Sequence, residues 1–238
     1  MNQGTYPLAA AMVNQLNRVD NIANNLANAN TNGFKQEGLS EGSFNQYLKR
    51  ATEARQAPTK QEEVFNKVPK IDNKFVDGQV GSIVPTGNSL DFAISEPNAF
   101  FKVQDNNGNT LLTRDGSFKV LNGELVTQNG YKVLSADNDA ILAEDGFAQN
   151  IGIERTDYKN LEKIGQNNYK VKDEGALTPV FNNEGIVAQG AVEKSNVNSV
   201  ESMVALIDAH RRFEQAQKAV LGIDETNSKL IDKVGSVR

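Results

Sequence analysis

The residues that could do chemistry are few, and the single histidine is the first to consider. His210 stands beside Arg211 and Arg212 in a segment of helical periodicity. A Ser-His-Asp arrangement would have to recruit this one imidazole, and no nucleophile-elbow sequence accompanies it. We therefore expect His210 to make a polar contact or to face solvent rather than to catalyse a reaction.

Metal and nucleotide binding have equally little support. The chain has no cysteine, which excludes disulfides, Cys-ligated metals and thiol nucleophiles. Residues 105–109 are similar to the start of a calcium loop, but the twelfth position is Gly116 instead of the closing Glu, so a hairpin turn is expected. Neither a G-x-G-x-x-G nor a Walker loop is present. The sequence predicts no catalytic residue, no cofactor and no metal, and hence no enzyme.

Charge and hydropathy exclude further classes. The net charge of -5, with both signs interspersed, argues against a nucleic-acid partner, which would need a basic field. No apolar run approaches the roughly 20 residues of a membrane span, so we expect no membrane insertion. The N-terminus has no basic region, and its longest apolar stretch, residues 8–13, is too short for a signal-peptide core. We expect no cleaved signal peptide.

Apolar residues near the N-terminus recur at alternating steps of four and three, with Gln15 as the polar exception. This spacing predicts a helix with a coiled-coil-like seam. Pro7 suits the first helical turn, and Gly33 lies just past the run as a stop signal. The predicted N-terminal seam consists of Leu8, Met12, Val19, Ile22 and Leu26.

The C-terminal segment has the same spacing over a longer distance. We predict a helix from about 198 to 236, because Asn198 followed by Glu201 forms an N-terminal capping pattern. A second stripe, Val200, Val204 and Ile207, indicates contacts with more than one neighbour. The predicted seam includes Leu206, Phe213, Val220, Ile223, Leu230 and Val234, with Ala209, Ala216 and Asn227 between them.

Between the helices, short β-prone runs alternate with Asn-Gly turns such as Asn122-Gly123, which favour tight hairpins. Because strand neighbours face opposite sides, at least one of Phe100 and Phe101 should be in the core. The fold class predicted is a mainly β central domain inserted between terminal helices that pair as a coiled-coil-like stalk. The domains are then residues 1–35 plus 193–238 for the helices, 36–73 for an extended linker and 74–192 for the β-rich domain.

The two seams are natural partners, since an isolated helix has nothing to bury its apolar face against. A stalk of two helices still exposes apolar surface, which stalks of neighbouring subunits would cover in a filament. The alternative is that both helices pack back across the β domain, and spacing alone does not decide between the two.

Residues 22–35, IANNLANANTNGFK, resemble the N-terminal signature of flagellar rod and hook proteins, an ANNLAN followed by T-x-GFK. Residues 86–94, 100–103, 112–118 and 125–131 resemble further segments of the same family, in the same order. Residues 195–204 resemble its SNVN-x-x-EMV segment. The signature residues are Asn24, Asn25, Leu26, Asn28, Thr31, Gly33, Phe34 and Lys35, with Ser195, Asn196 and Val197 near the C-terminal helix.

The resemblance implies a structural subunit of the flagellar basal-body rod that polymerises through its terminal helices. It implies location in the periplasm-spanning rod and export by the flagellar type III machinery without a cleaved signal. The partners implied are other copies of the chain, other rod proteins and that machinery, with the surrounding basal-body rings as further candidates. The run at 211–214 is most similar to proximal-rod members. The alternatives are a distal rod or hook-type axial subunit, or a secreted β-rich binding module with oligomerising helices.

Overall fold

Helices at both ends bracket a β-rich region, as predicted. The structure, a computed structural model, describes residues 5–43, 69–144, 146–165, 167–180 and 185–235. The chain divides into two compact units. The first consists of residues 1–26, 37–75 and 198–238, and the second of residues 27–36 and 76–197. The first unit therefore contains most of both terminal helices together with residues from the predicted linker.

The helices are α1, Thr5–Ala27, and α2, Ser199–Gly235. Helix α1 ends before Gly33, because residues 28–30 turn and the Thr31 N–H donates to the Asn28 carbonyl at 3.1 Å. Helix α2 has the predicted cap. The Asn198 side-chain oxygen accepts from the N–H groups of Val200 and Glu201, at 3.1 and 3.2 Å, which satisfies two otherwise unpaired donors.

Two strands lie at the ends of the predicted linker. Strand β1, Glu37–Ser43, and strand β2, Pro69–Val76, form a two-stranded sheet. The linker prediction therefore differs from the structure at its ends, where backbone pairing gives regular structure without an apolar period. The rest of the predicted linker, residues 44–68, lies outside the described residues.

The other strands follow in chain order. They are β3 Ile83–Pro85, β4 Phe92–Ile94, β5 Ala99–Gln104, β6 Thr110–Thr113, β7 Lys119–Leu121, β8 Glu124–Val126, β9 Lys132–Val133, β10 Ile153–Arg155, β11 Leu161–Gly165, β12 Asn168–Val171, β13 Thr178–Val180, β14 Val187–Gln189 and β15 Ala191–Glu193. Short 3₁₀ turns occur at Phe147–Asn150, Tyr158–Asn160 and Glu174–Ala176.

Within the described residues, the main sheet has nine strands, with the path β11-β12-β6-β5-β9-β8-β7 and with β10 and β13 joined through β5. The pairs β14–β4 and β15–β3 are separate antiparallel sheets. The Asn122-Gly123 turn joins β7 to β8, and both residues have positive φ, 55° and 85°, as a tight hairpin requires.

The main sheet has an apolar core on each side. Phe101 packs with Phe92 and Phe118 in the larger core, and Phe100 packs with Tyr169 in the smaller one. Both Phe100 and Phe101 are fully buried, so the alternation expected from the sequence places each in a different core.

Candidate functional site

The seam of α2 is visible in the burial of its side chains. From residue 202 to residue 227, side chains that are buried or half-buried recur at alternating steps of four and three, and all others are exposed. This is coiled-coil spacing. One predicted member differs, because Leu230 is 56% exposed. The side chain of Val234 lies outside those described. The covered residues are Ser202, Leu206, Ala209, Phe213, Ala216, Val220, Ile223 and Asn227.

A second apolar stripe lies on another face of α2. Val200, Met203, Val204 and Ile207 are 70%, 50%, 64% and 55% exposed. Their spacing puts them on one side of the first two turns, and none of them belongs to the covered seam. Large apolar side chains grouped in this way mark an interaction surface more often than chance exposure does. We call these four residues the outer stripe.

Helix α1 also has a covered and an exposed face. Its predicted seam residues, Leu8, Met12, Val19, Ile22 and Leu26, are all half-buried. Val13 and Leu16 are 57% and 45% exposed on another face, which carries alanines on either side. Arg18 and Asp20 are the only charged residues in Thr5–Ala27. Each terminal helix therefore retains exposed apolar side chains, Val13 and Leu16 on α1 and the outer stripe on α2.

The asparagine signature binds main-chain groups. Asn25 is buried, and its amide nitrogen donates to the Glu37 carbonyl at 2.8 Å while its oxygen accepts from the Glu37 N–H at 2.9 Å. The same nitrogen also donates to the Asn21 side-chain oxygen at 3.4 Å. The side chain of Asn25 thus takes the place of a neighbouring strand for the first residue of β1. Asn24, by contrast, is exposed.

Lys35, the last residue of the signature, forms a fully buried ion pair. Its Nζ lies 2.6 Å from Glu193 Oε1, and neither side chain has any solvent exposure. Lys35 also donates to the Gln79 carbonyl, and the Gly81 N–H donates to Glu193 Oε1 at 2.9 Å. Burial lowers the pKa of Lys35 below its usual value, and the neighbouring Glu193 carboxylate opposes that shift.

Arg114 binds the other oxygen of the same carboxylate. Its Nε and Nη2 lie 2.8 and 2.7 Å from Glu193 Oε2. The remaining N–H groups donate to the main-chain carbonyls of Ile94 at 2.9 Å, Ala99 at 2.6 Å and Glu96. Each of the five guanidinium donors therefore has an acceptor. We call Lys35, Arg114 and Glu193 the clasp.

The two signatures, distant in sequence, bind each other beside the clasp. The Gly33 N–H donates to the Glu193 carbonyl, and the Gln36 N–H donates to the Asn196 side-chain oxygen, both at 2.7 Å. The Asn196 amide nitrogen donates in turn to the Asp77 carbonyl at 3.0 Å. The chain entering the β unit from α1 is thus bonded to the chain leaving it toward α2.

Gly33 and Phe34 have specific steric roles in this contact. Gly33 has a φ of 66°, and an added Cβ would lie 2.4 Å from the Arg114 carbonyl carbon and oxygen. A larger residue would therefore be strained and would also clash with the main chain. Phe34 is buried, with the Lys163 ammonium 4.0 Å from its ring centroid, within range of a cation–π contact.

Ser195 and Val197 complete the path to α2. The Ser195 hydroxyl accepts from the Val197 N–H at 3.2 Å, and Val197 is buried. This local turn precedes the Asn198 cap directly. The second signature therefore shapes the main chain that leads into the helix.

Sequence reasoning placed Lys35 and Arg114 in motifs but did not pair them, and it missed Glu193 altogether. One signal was present. A lysine between a buried phenylalanine and a strand needs an anionic partner if it is buried, because an unpaired buried charge is strongly unfavourable. Nothing in the local sequence identifies which glutamate supplies that partner.

The residues first considered for chemistry have structural contacts. His210 is 63% exposed, and its Nδ1 lies 3.4 Å from Glu214. The Asp105 carboxylate accepts from the Asn107 and Asn109 N–H groups at 2.9 and 2.8 Å, as in a turn, and the Asn109 side chain lowers the pKa of Asp105. Among the described residues, no three His, Asp or Glu side chains are grouped to hold a metal. No helix in that part of the chain is long and apolar enough to span a membrane.

Within the β unit, a buried ion-pair network holds the segment after α1 and the segment before α2, and each terminal helix carries exposed apolar side chains. Comparison with known families gives three matches. The C-terminal model of flagellar basal body rod FlgEFG proteins matches residues 188–233. The D1-domain model of flagellar hook proteins FlgE/F/G matches residues 95–179, and the flagella basal body rod protein model matches residues 7–35.

Curated relatives agree with these matches. The chain is 32% identical to the flagellar basal-body rod protein FlgG of Buchnera aphidicola subsp. Schizaphis graminum, over 88% of this chain and 91% of the relative. It is 34% identical to FlgG of Borreliella burgdorferi, over 92% and 94%. It is 29% identical to FlgF of Rhizobium meliloti over the whole of both chains. The chain belongs to the flagellar basal-body rod protein family and is a structural rod subunit, not an enzyme.

Proposed function

We propose that this subunit polymerises through its terminal helices, with the α1 and α2 seams paired as a coiled-coil-like stalk and the outer stripe packed against neighbouring rod subunits. The observation that carries the proposal is the contrast between two apolar sets on α2. The seam residues are covered within one chain, whereas the outer stripe is half to mostly exposed. A helix with two apolar faces needs two partners to bury both.

The chain itself and other rod proteins are the proposed partners. The outer stripe consists of branched and flexible apolar side chains, which suit packing against another helix with little charge, such as the exposed face of α1. Repeated contacts between unlike faces extend into a helical assembly unless they close. This arrangement agrees with a subunit of an axial structure.

The proximal rod is the proposed position along that axis. The alignment to a FlgF protein spans all of both chains, whereas the two FlgG alignments reported above leave part of each chain unmatched. Two deletion strains would test this, one lacking the proximal rod gene and one lacking the distal. We expect the chain to restore rods in the proximal deletion, and rescue of the distal deletion alone would contradict it. Export without signal cleavage and contacts with surrounding rings belong to the same proposal.

The assembly surface can be tested with Val204→Asp. Val204 is 64% exposed, so an aspartate there leaves the isolated chain folded. Buried at a subunit contact without a partner, the same charge is unfavourable by several kcal/mol, on the order of 2–5. We expect normal unfolding of the purified variant by circular dichroism and a loss of rods by electron microscopy in a deletion strain.

Ala205→Asp provides the matched control. Ala205 is exposed on the same turn but points away from the outer stripe, and replacing alanine lowers helix propensity more than replacing valine does. Rods should therefore form with Ala205→Asp and fail with Val204→Asp. Normal rods from the Val204 variant would show that the outer stripe is not an assembly surface.

A further inference from the structure

The chain segments next to the two helices are buried without joining either apolar core of the β unit. The cores are built around Phe101 and Phe100 on the two faces of the main sheet. Phe34, Val192 and Val197 are buried too, yet they belong to neither cluster. The segments that contain them therefore need something other than the cores to hold them in place.

The segments after α1 and before α2 are both bonded to a third segment, residues 77–85, which is half-buried to exposed. We call residues 28–36, 77–85 and 191–197 the root layer. The Asp77 N–H donates to the Gln36 carbonyl at 2.8 Å, and the Lys194 N–H donates to the Ser82 carbonyl at 2.9 Å. Strand β15 pairs with β3 in a sheet of its own, separate from the nine-stranded sheet. The root layer thus has an internal hydrogen-bond network.

The clasp is the charged link between the root layer and the rest of the β unit. Glu193 and Lys35 lie in the root layer, whereas Arg114 follows β6 of the main sheet and is bonded to main-chain carbonyls of that part. A neutral hydrogen bond from the Asn167 amide to the Asn32 carbonyl, at 2.8 Å, accompanies it. Glu193 is therefore a carboxylate in direct contact with two buried cations.

We propose that the root layer is a separate cooperative unit, latched to the main sheet by Glu193, that opens without unfolding that sheet. Units held by few apolar contacts open at lower free energy than the core they adjoin. Without the Glu193 charge, Arg114 and Lys35 would lose the carboxylate that contacts both of them, and two buried like charges oppose closure. Both chain segments that lead into the helices would then release together.

The role of this latch in assembly rests on the proposed function. In a polymerising subunit, opening of the root layer lets the segments before α2 and after α1 change conformation while the main sheet stays folded. The opening itself is a property of the isolated chain. It can therefore be tested without rods, and its failure would leave the assembly proposal untouched.

The experiment is native-state amide hydrogen exchange on Glu193→Gln, followed by NMR. The Gly33 and Lys194 amides report on the root layer, because both donate to main-chain carbonyls that the substitution leaves in place. The Leu125 and Leu134 amides report on the main sheet, where they donate to the carbonyls of Ile141 and Lys102. We expect root-layer exchange to rise roughly a hundredfold or more, and main-sheet exchange to stay within about threefold.

Glu154→Gln is the matched control. Glu154 is a buried carboxylate paired with Lys102 at 3.0 Å within the main sheet, so its loss removes a comparable ion pair outside the root layer. Glu154→Gln should not accelerate hydrogen exchange of the root-layer amides more than that of the main-sheet amides. Equal acceleration of both sets by Glu193→Gln, or acceleration of neither, would overturn the proposal.

The wild-type chain provides a second test of the latch, which applies even if Glu193→Gln does not fold. Under low concentrations of urea, the root-layer amides should exchange through an opening with a smaller urea dependence than that of the main-sheet amides, because less surface is exposed. Identical protection and identical urea dependence for both sets would show one cooperative unit and refute the latch.

Discussion

Arg114→Lys should be among the most damaging conservative substitutions in this protein. Arg114 uses five N–H donors in a fixed fork to reach the Glu193 carboxylate and three main-chain carbonyls. A lysine keeps the charge but has three donors on a single nitrogen. Its ammonium can remain near Glu193, and it then leaves the carbonyls of Ile94 and Ala99, two buried residues, without a donor.

The expected loss follows from those two carbonyls. An unsatisfied buried acceptor is unfavourable by about 1–3 kcal/mol, so the pair predicts a fall of about 2–6 kcal/mol in the free energy of unfolding. A domain is typically stable by only about 5–15 kcal/mol, so the fall is easily measured. Urea denaturation followed by circular dichroism gives this free energy, provided that the slope of the transition is unchanged.

Arg155→Lys is the control for the same exchange of side chains. Arg155 pairs with Glu96 at 2.8 Å, but its side chain is 40% exposed, so water can replace the lost bonds. We expect a change below about 1 kcal/mol there. If Arg114→Lys were no more destabilising than Arg155→Lys, the carbonyl contacts of Arg114 would not contribute to stability, and the account of the clasp would be wrong.

Two further predictions concern other buried polar groups. The Tyr158 hydroxyl is buried without a hydrogen-bond partner, and burial raises its pKa. Tyr158→Phe should therefore leave the free energy of unfolding unchanged or raise it by up to about 1 kcal/mol in urea denaturation. A fall of more than about 1 kcal/mol would show that the hydroxyl has a partner. Burial also raises the pKa of Asp115 above 3.8, so its stabilising contribution is present below that pH and is lost as pH rises through the folded-state pKa. Asp115→Asn, whose oxygen can still accept from Ser117, should therefore gain stability relative to the wild type as pH is raised from about 4 to 7, and parallel pH profiles would contradict this.

The parts of the fold that are specified by local sequence signals could be predicted from the sequence. The α2 seam follows from apolar spacing, and its start follows from Asn198, since both signals lie within a few residues of the structure they specify. Hairpins at Asn-Gly steps are local in the same sense. The predicted stop signal at Gly33 lies beyond the end of α1 at Ala27, because the chain already turns at residues 28–30 through the bond from Thr31 to Asn28.

The clasp could not be predicted, because its partners are far apart along the chain. Lys35 and Glu193 are separated by 158 positions, and Arg114 lies between them. Charged residues near turns normally face water, so local pattern favours exposure for all three. Only the pairing of residues 28–36 with residues 191–197 inside the β unit brings the opposite charges together, and no local periodicity in the sequence signals that pairing.

The seam and the clasp supply different kinds of information to an assembling subunit. A heptad seam is nearly unchanged by a shift of seven residues, about 10 Å along the helix, so apolar packing alone leaves the register ambiguous. Directional bonds remove such ambiguity, because the Arg114 fork and the Lys35 ammonium fit Glu193 in a single arrangement. Replacing the clasp by apolar residues of similar volume could even stabilise the isolated β unit. That replacement would also remove the bonds that fix where the chain enters and leaves the β unit. We therefore predict that such a variant folds with increased stability yet builds irregular rods.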